Sequence, residues 1–136
     1  MALTAPRTWI PDEVVTAAML NEQIRDNLNW LVGDASWIAP ALTNGWVNFG
    51  SANFSTAGYR KLGDVVYLKG TVKSGTLGAA IFTLPVGYRP PNQCVFGIES
   101  NNLIGRVDVN AAGTVYTGTP ASATYVSLEG AVFSTV

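Results

Sequence analysis

Near residue 40 the apolar pattern of this chain changes period. Upstream, Leu20, Ile24, Leu28 and Leu31 recur every third or fourth position, the stripe of an amphipathic helix; downstream, short alternating runs are cut by glycines, as strands are. With 136 residues the chain has room for one β domain with a single core plus a helical appendage. The expected fold class is mainly β: a short N-terminal α-helix, then an antiparallel, jelly-roll-like β-sandwich. The expected divisions are an extended arm over 1–15, a helix over 16–33, a linker over 34–44 and a β head over 45–136.

Thr16 is placed to cap the helix and Gly33 to end it. Pro11, Asp12 and Glu13 offer an alternative start, since proline and acids suit a first helical turn. A helix of this length is marginal alone, so something must cover its stripe. Ala17, Leu20, Ile24, Asn27 and Leu31 read as alternating seam positions of a short coiled coil with one polar residue, and Leu28 flanks them. The helix is thereby a candidate oligomer interface; the alternative is that the same stripe packs on the chain's own sandwich. All four tryptophans, Trp9, Trp30, Trp37 and Trp46, fall in the first third. Large aromatics on an appendage without a core of its own mark an interface. Trp9, Ile10, Pro11, Trp30 and Trp37 are the candidate docking residues, with folding back onto the sandwich edge as the alternative.

From Gly45 onward turn signals arrive at the spacing of a sandwich or barrel. Gly63-Asp64 suits a two-residue hairpin loop between Gly58–Leu62 and a longer strand from Val65 to Val72. Alternation within that strand sends Val66, Leu68 and Val72 to the core and Val65, Tyr67, Lys69 and Thr71 to the other face. Cys94, Phe96 and Ile98, then Val107 and Val109, Val115, and Val126, Leu128 and Val132 continue the core set. Asn110-Ala111-Ala112-Gly113 reads as a turn. Leu84 to Pro91 is too rich in proline for a central strand and must cross between sheets or follow an edge.

The chain has no histidine, so the commonest general base and metal ligand is missing. Its nine carboxylates are scattered, and no phosphate-binding loop, nucleophile elbow or dinucleotide fingerprint occurs. Cys94, the single cysteine, cannot form an internal disulfide, and its apolar neighbours suit a buried small residue. Eight basic against nine acidic residues leave no surplus of positive charge for nucleic acid. No apolar run approaches the roughly 20 residues of a membrane span, and Met1–Arg7 is not a secretory signal. The expectation is a non-enzymatic, cofactor-free protein made in a cytoplasm, without membrane insertion.

Phe82-Thr83-Leu84-Pro85-Val86-Gly87-Tyr88-Arg89-Pro90-Pro91, following Gly58-Tyr59-Arg60-Lys61 and Val65–Gly70, resembles the β-sandwich domains of phage tail-fibre and receptor-binding proteins. Arg7-Thr8-Trp9-Ile10-Pro11, with Glu13–Asn21 and Ile24–Leu28, resembles the N-terminal module of minor tail proteins from phages of Gram-positive hosts. The resemblance implies a homotrimer in the virion, its helices bundled on the three-fold axis and its head projecting outward. It also implies partners among other virion proteins and a saccharide on the host surface. The chain departs from typical tail fibres in lacking a shaft, so capsid decoration or cementing by the same trimer is the competing role. For adhesion, the candidate ligand contacts are Tyr59, Tyr88, Arg89, Asn101, Asn102, Tyr116 and Tyr125, which offer stacking faces and paired hydrogen bonds. Asn101 and Asn102 serve equally well as a turn.

Overall fold

Thr16 caps the N-terminal helix as its sequence position requires: its hydroxyl accepts from the Met19 N–H, and Met19 Sδ accepts from the Thr16 N–H. A computed structural model describes residues 4–32 and 34–136. The helix runs from Ala17 to Val32, with a π segment, Asn21–Asp26, between two α segments, Ala17–Leu20 and Asn27–Val32. The alternative start is a turn instead, with Asp12 at positive φ. The expected cap at Gly33 and the arm's first three residues lie outside the described residues.

Among the described residues eleven strands follow: β1 (Asp34–Ile38), β2 (Val47–Asn48), β3 (Gly58–Leu62), β4 (Val65–Lys69), β5 (Thr71–Lys73), β6 (Ala80–Thr83), β7 (Cys94–Ser100), β8 (Leu103–Val109), β9 (Thr114–Gly118), β10 (Val126–Ser127) and β11 (Val132–Ser134). They form three antiparallel sheets, ordered β1-β3-β4-β11, β10-β5-β2 and β6-β9-β8-β7. The fold is therefore mainly β behind one N-terminal helix, as the change of period near residue 40 indicates.

The β3–β4 hairpin has the register expected of a two-residue loop, from Leu62 opposite Val65 to Gly58 opposite Lys69. Gly63 takes positive φ and Asp64 does not, as a II′ turn needs. Asn110 and Gly113 likewise close the β8–β9 turn, with Gly113 N–H donating to the Asn110 carbonyl. The proline-rich crossover joins β6 to β7, the two edges of one sheet, so it crosses within a sheet and not between two. That distance is three strand spacings, about 14 Å.

The expected strand from Val65 to Val72 is two strands in two sheets. Gly70, at φ +99°, breaks it: a Cβ there would lie 2.4 Å from the Thr56 carbonyl oxygen. The break resets the alternation, so Thr71 is buried beside Val72. A second parity error concerns Val132, which is 42% exposed while Ala131 and Phe133 are buried. The tight turn in which Ala131 N–H donates to the Leu128 carbonyl, with Gly130 at positive φ, shifts the facing by one residue. The stretch read as a linker opens with β1, which pairs with β3. Trp46 belongs to the core, at 2% exposure.

The core is one cluster. Val66 and Leu68 of the first sheet, Val72 and Val126 of the second, and Phe82, Ile98, Val107, Val109 and Val115 of the third meet in it with Leu84 and Leu128. Each such side chain contributes about 1.5–3 kcal/mol by leaving water. Partial burial also pushes the Cys94 thiol pKa up, which disfavours the thiolate.

Candidate functional site

The two ends of the β3–β4 hairpin carry different chemistry. At the turn, the Trp30 ring lies over Gly63, where an added Cβ would stand 3.7 Å from it. The helix is docked there. β4 runs away from that turn for about 16 Å, and beyond Gly70 lies an aromatic cluster of Phe49, Phe54 and Tyr125. Phe49 meets Phe54 edge-on at 4.8 Å, and Tyr125 stands 5.8 Å from Phe49 and 5.5 Å from Phe54. Lys73 holds its ammonium 5.0 Å from the Phe49 centroid.

The platform is fixed by backbone contacts. Phe49 N–H donates to the Thr71 carbonyl, Thr71 N–H to Ser55, and Ala57 N–H to Asn48 Oδ1 at 2.7 Å, which closes the loop carrying both phenylalanines. Buried Ser100 donates its hydroxyl to the Tyr125 carbonyl at 3.1 Å and accepts the Ser122 N–H at 2.7 Å. Glu99 accepts the Asn102 N–H at 2.5 Å and hydrogen-bonds the Tyr125 phenol. That bond to Glu99, then desolvation, then the Glu99 charge raise the Tyr125 pKa above its ordinary 10.0. Asn101 and Asn102, both at positive φ, form the two-residue β7–β8 turn and expose their amides beside this carboxylate.

Of the seven candidate ligand contacts, the fold gathers Tyr125, Asn101 and Asn102 through Glu99. Tyr59, Tyr88 and Arg89 come together elsewhere: Tyr59 is 8% exposed, with Phe82 stacked at 6.4 Å and Tyr88 edge-on at 5.1 Å. Burial, then the neighbouring Tyr88, raises its pKa. Arg89 donates Nε–H to the Leu84 carbonyl at 2.8 Å, bracing the crossover. Tyr116 is half-buried on β9 opposite Asp108, apart from both groups by register. Phe49, Phe54, Glu99 and Lys73 escaped sequence reasoning. The usable signal was two phenylalanines bracketing Gly50-Ser51-Ala52-Asn53, a polar loop that gives them no strand alternation.

At the other end, Leu20, Ile24, Leu28 and Leu31 are 44–57% exposed along the helix. Ala17 is exposed beside them. Asn27 has a different role: its amide accepts the Thr4 N–H at 2.9 Å and donates to the Thr4 carbonyl, while Gln23 accepts the Arg7 N–H at 2.9 Å. The arm is therefore clipped to its own helix. Leu28, four residues on from Ile24, continues the exposed stripe in place of Asn27. Trp9, Ile10 and Pro11 remain exposed, with Arg7 over the Trp9 ring and paired to Glu13. Trp37 packs against the outer face of β3.

No family model matches the chain, and no curated protein matches it in sequence. Among solved structures it is similar to the receptor-binding protein gp15 of Listeria phage PSA, with a TM-score of 0.59 over 88% of this chain and 80% of that one, at 16% identity. The two share a fold.

Proposed function

We propose that this chain is a non-enzymatic virion protein of the minor-tail or fibre type, which attaches by its N-terminal arm and helix and adheres to host-surface saccharide with its β head. The observation that carries this is polarity. The exposed leucine stripe and Trp-bearing arm stand at one end of the β3–β4 hairpin, and the aromatic platform with its carboxylate, ammonium and amide groups stands past the other. Aromatic faces that stack on a sugar's apolar side, beside polar groups that meet its hydroxyls, are what saccharide adhesion requires. The fold shared with a phage receptor-binding protein supports the same role. The leucine stripe fits a homotrimer bundled through the helices, since an exposed seam of that length needs a partner.

A saccharide array probed with the full chain and with Phe54→Ala tests the adhesive role. Sugars retained by the full chain and lost by the variant support it. Equal or absent retention in both overturns it and leaves the cementing role, which needs the helical end alone.

A further inference from the structure

The sheet β1-β3-β4-β11 is apolar on both faces. Tyr59, Val66, Leu68 and Phe133 point into the core, so the residues alternating with them point away from it. On that outer face the register sets Arg60 opposite Tyr67 and Tyr67 opposite Val132, with Leu62 opposite Val65 to one side and Gly58 opposite Lys69 to the other. Trp37 joins them from β1: its ring lies 4.5 Å from the Arg60 guanidinium, and a Cβ on Gly58 would stand 3.5 Å from its Cε3. An antiparallel sheet face left to water is ordinarily polar. Here Trp37 is 37% and Val132 42% exposed, and Trp, Tyr and Arg, the residue types that anchor interfaces, stand side by side.

Charge indicates what covers this face. Among the described side chains, Glu13, Asp26, Asp64 and Asp108 pair with Arg7, Arg25, Lys61 and Arg106, Glu129 accepts the Gly70 N–H, and Glu99 serves Asn102 and Tyr125. Asp12 and Glu22 are left over, both exposed, one in the arm and one on the helix. On the sheet face Arg60 and Lys69 likewise have no carboxylate partner among the described residues; Lys73, also without one, stands at the aromatic platform. The unmatched acids therefore belong to the part of the chain that bears the exposed leucines, and two unmatched bases belong to the apolar sheet face. Within one chain these sets do not meet. A second copy is the occupant that satisfies both, by opposite charge and by mutual cover of apolar surface.

We propose that the outer face of β1-β3-β4-β11 receives the arm and helix of a second copy, head to tail, with Asp12 and Glu22 of one chain against Lys69 and Arg60 of the next. Such a contact is heterologous, and a rotational symmetry closes it into a ring. The inference rests on the self-association proposed above, and it gives each helix a neighbour's head to pack on as well as a neighbour's helix.

The test treats an equal mixture of isotope-labelled and unlabelled full chain with a zero-length carbodiimide, which joins a carboxylate only to an amine in contact with it. Peptides that link Asp12 or Glu22 to Lys69 and carry both labels are the expected product. Light scattering over a dilution series is the second measurement. Glu22→Lys and Lys69→Glu should each weaken association about tenfold or more, because like charges would then face each other across an apolar contact. Glu22→Lys/Lys69→Glu in one chain should recover most of that loss. The cross-link needs no variant, so it decides the matter even if Lys69→Glu misfolds. An oligomeric parent chain whose links from Asp12 and Glu22 to Lys69 never carry both labels, or whose association Lys69→Glu leaves unchanged, overturns this contact and spares the helical bundle. A parent chain that is monomeric at every concentration overturns both.

Discussion

The indole of Trp46 lies flat on the backbone of Gly75. A Cβ at Gly75 would fall 2.0 Å from Trp46 Cδ2 and 2.2 Å from Cε2 and Cγ, so no other residue fits there without moving the ring. Trp46 is part of the central core, which cannot yield without opening cavities elsewhere. Gly75→Ala should lower the unfolding free energy by about 2 kcal/mol or more, the cost of overpacking a closed site. Urea unfolding followed by tryptophan fluorescence measures it. A midpoint unchanged from the parent chain would mean that the indole is free to shift.

A buried acid gives an unequal pair of outcomes. Asp108 has no exposure, and its carboxylate meets Arg106 Nη2 and Gln93 Nε2 at 3.0 Å each. Arg106 Nε approaches Oδ1 at 2.9 Å but off the hydrogen-bond axis, so that oxygen is paired by charge alone. The Arg106 side chain is 44% exposed and can rehydrate, whereas Asp108 cannot. Arg106→Ala should therefore cost roughly 3 kcal/mol, by leaving a buried carboxylate half-partnered. Adding Asp108→Ala to it should restore part of that loss. A double variant less stable than Arg106→Ala alone would contradict the assignment.

Local chemistry was legible in the sequence, and close approaches were not. Thr16, the Gly63-Asp64 loop and the Asn110–Gly113 turn act through neighbours within a few positions, so spacing alone identifies them. Gly70 looked like any residue of a long alternating strand; what makes it a break is the Thr56 carbonyl 2.4 Å from its missing Cβ. That contact exists only once the chain has folded. The aromatic platform was half legible for the same reason. Tyr125, Asn101 and Asn102 stood out as exposed-type residues, but Phe49 and Phe54 join them from a loop remote in sequence. Asn27 fitted a seam by heptad spacing, but its amide holds Thr4 of the arm, a contact that no count along the helix reveals.

The proposed association through the helix is separable from head stability. Leu20 and Leu28 are exposed and remote from the core, so Leu20→Asp/Leu28→Asp should change head unfolding by no more than about 0.5 kcal/mol. The mass in solution should fall from an oligomer to a monomer, by light scattering. An unchanged mass would overturn the helical bundle.

Tyr125 supplies a pH signature of the platform. Its pKa is raised above 10.0, first by the hydrogen bond to Glu99, then by desolvation and by the Glu99 charge; burial, then Tyr88, raises that of Tyr59. A phenol whose folded pKa exceeds its unfolded value contributes stability that is present below the unfolded value, about 10, and lost as pH climbs through the folded one. The chain should therefore weaken in alkali, and two tyrosines should ionise later than the rest by ultraviolet difference absorbance. Glu99→Gln removes the charge and the strongest acceptor, so Tyr125 should ionise earlier while Tyr59 stays late. If both late phases survived in Glu99→Gln, Glu99 would not be the partner of Tyr125, and the carboxylate edge of the platform would have to be redrawn.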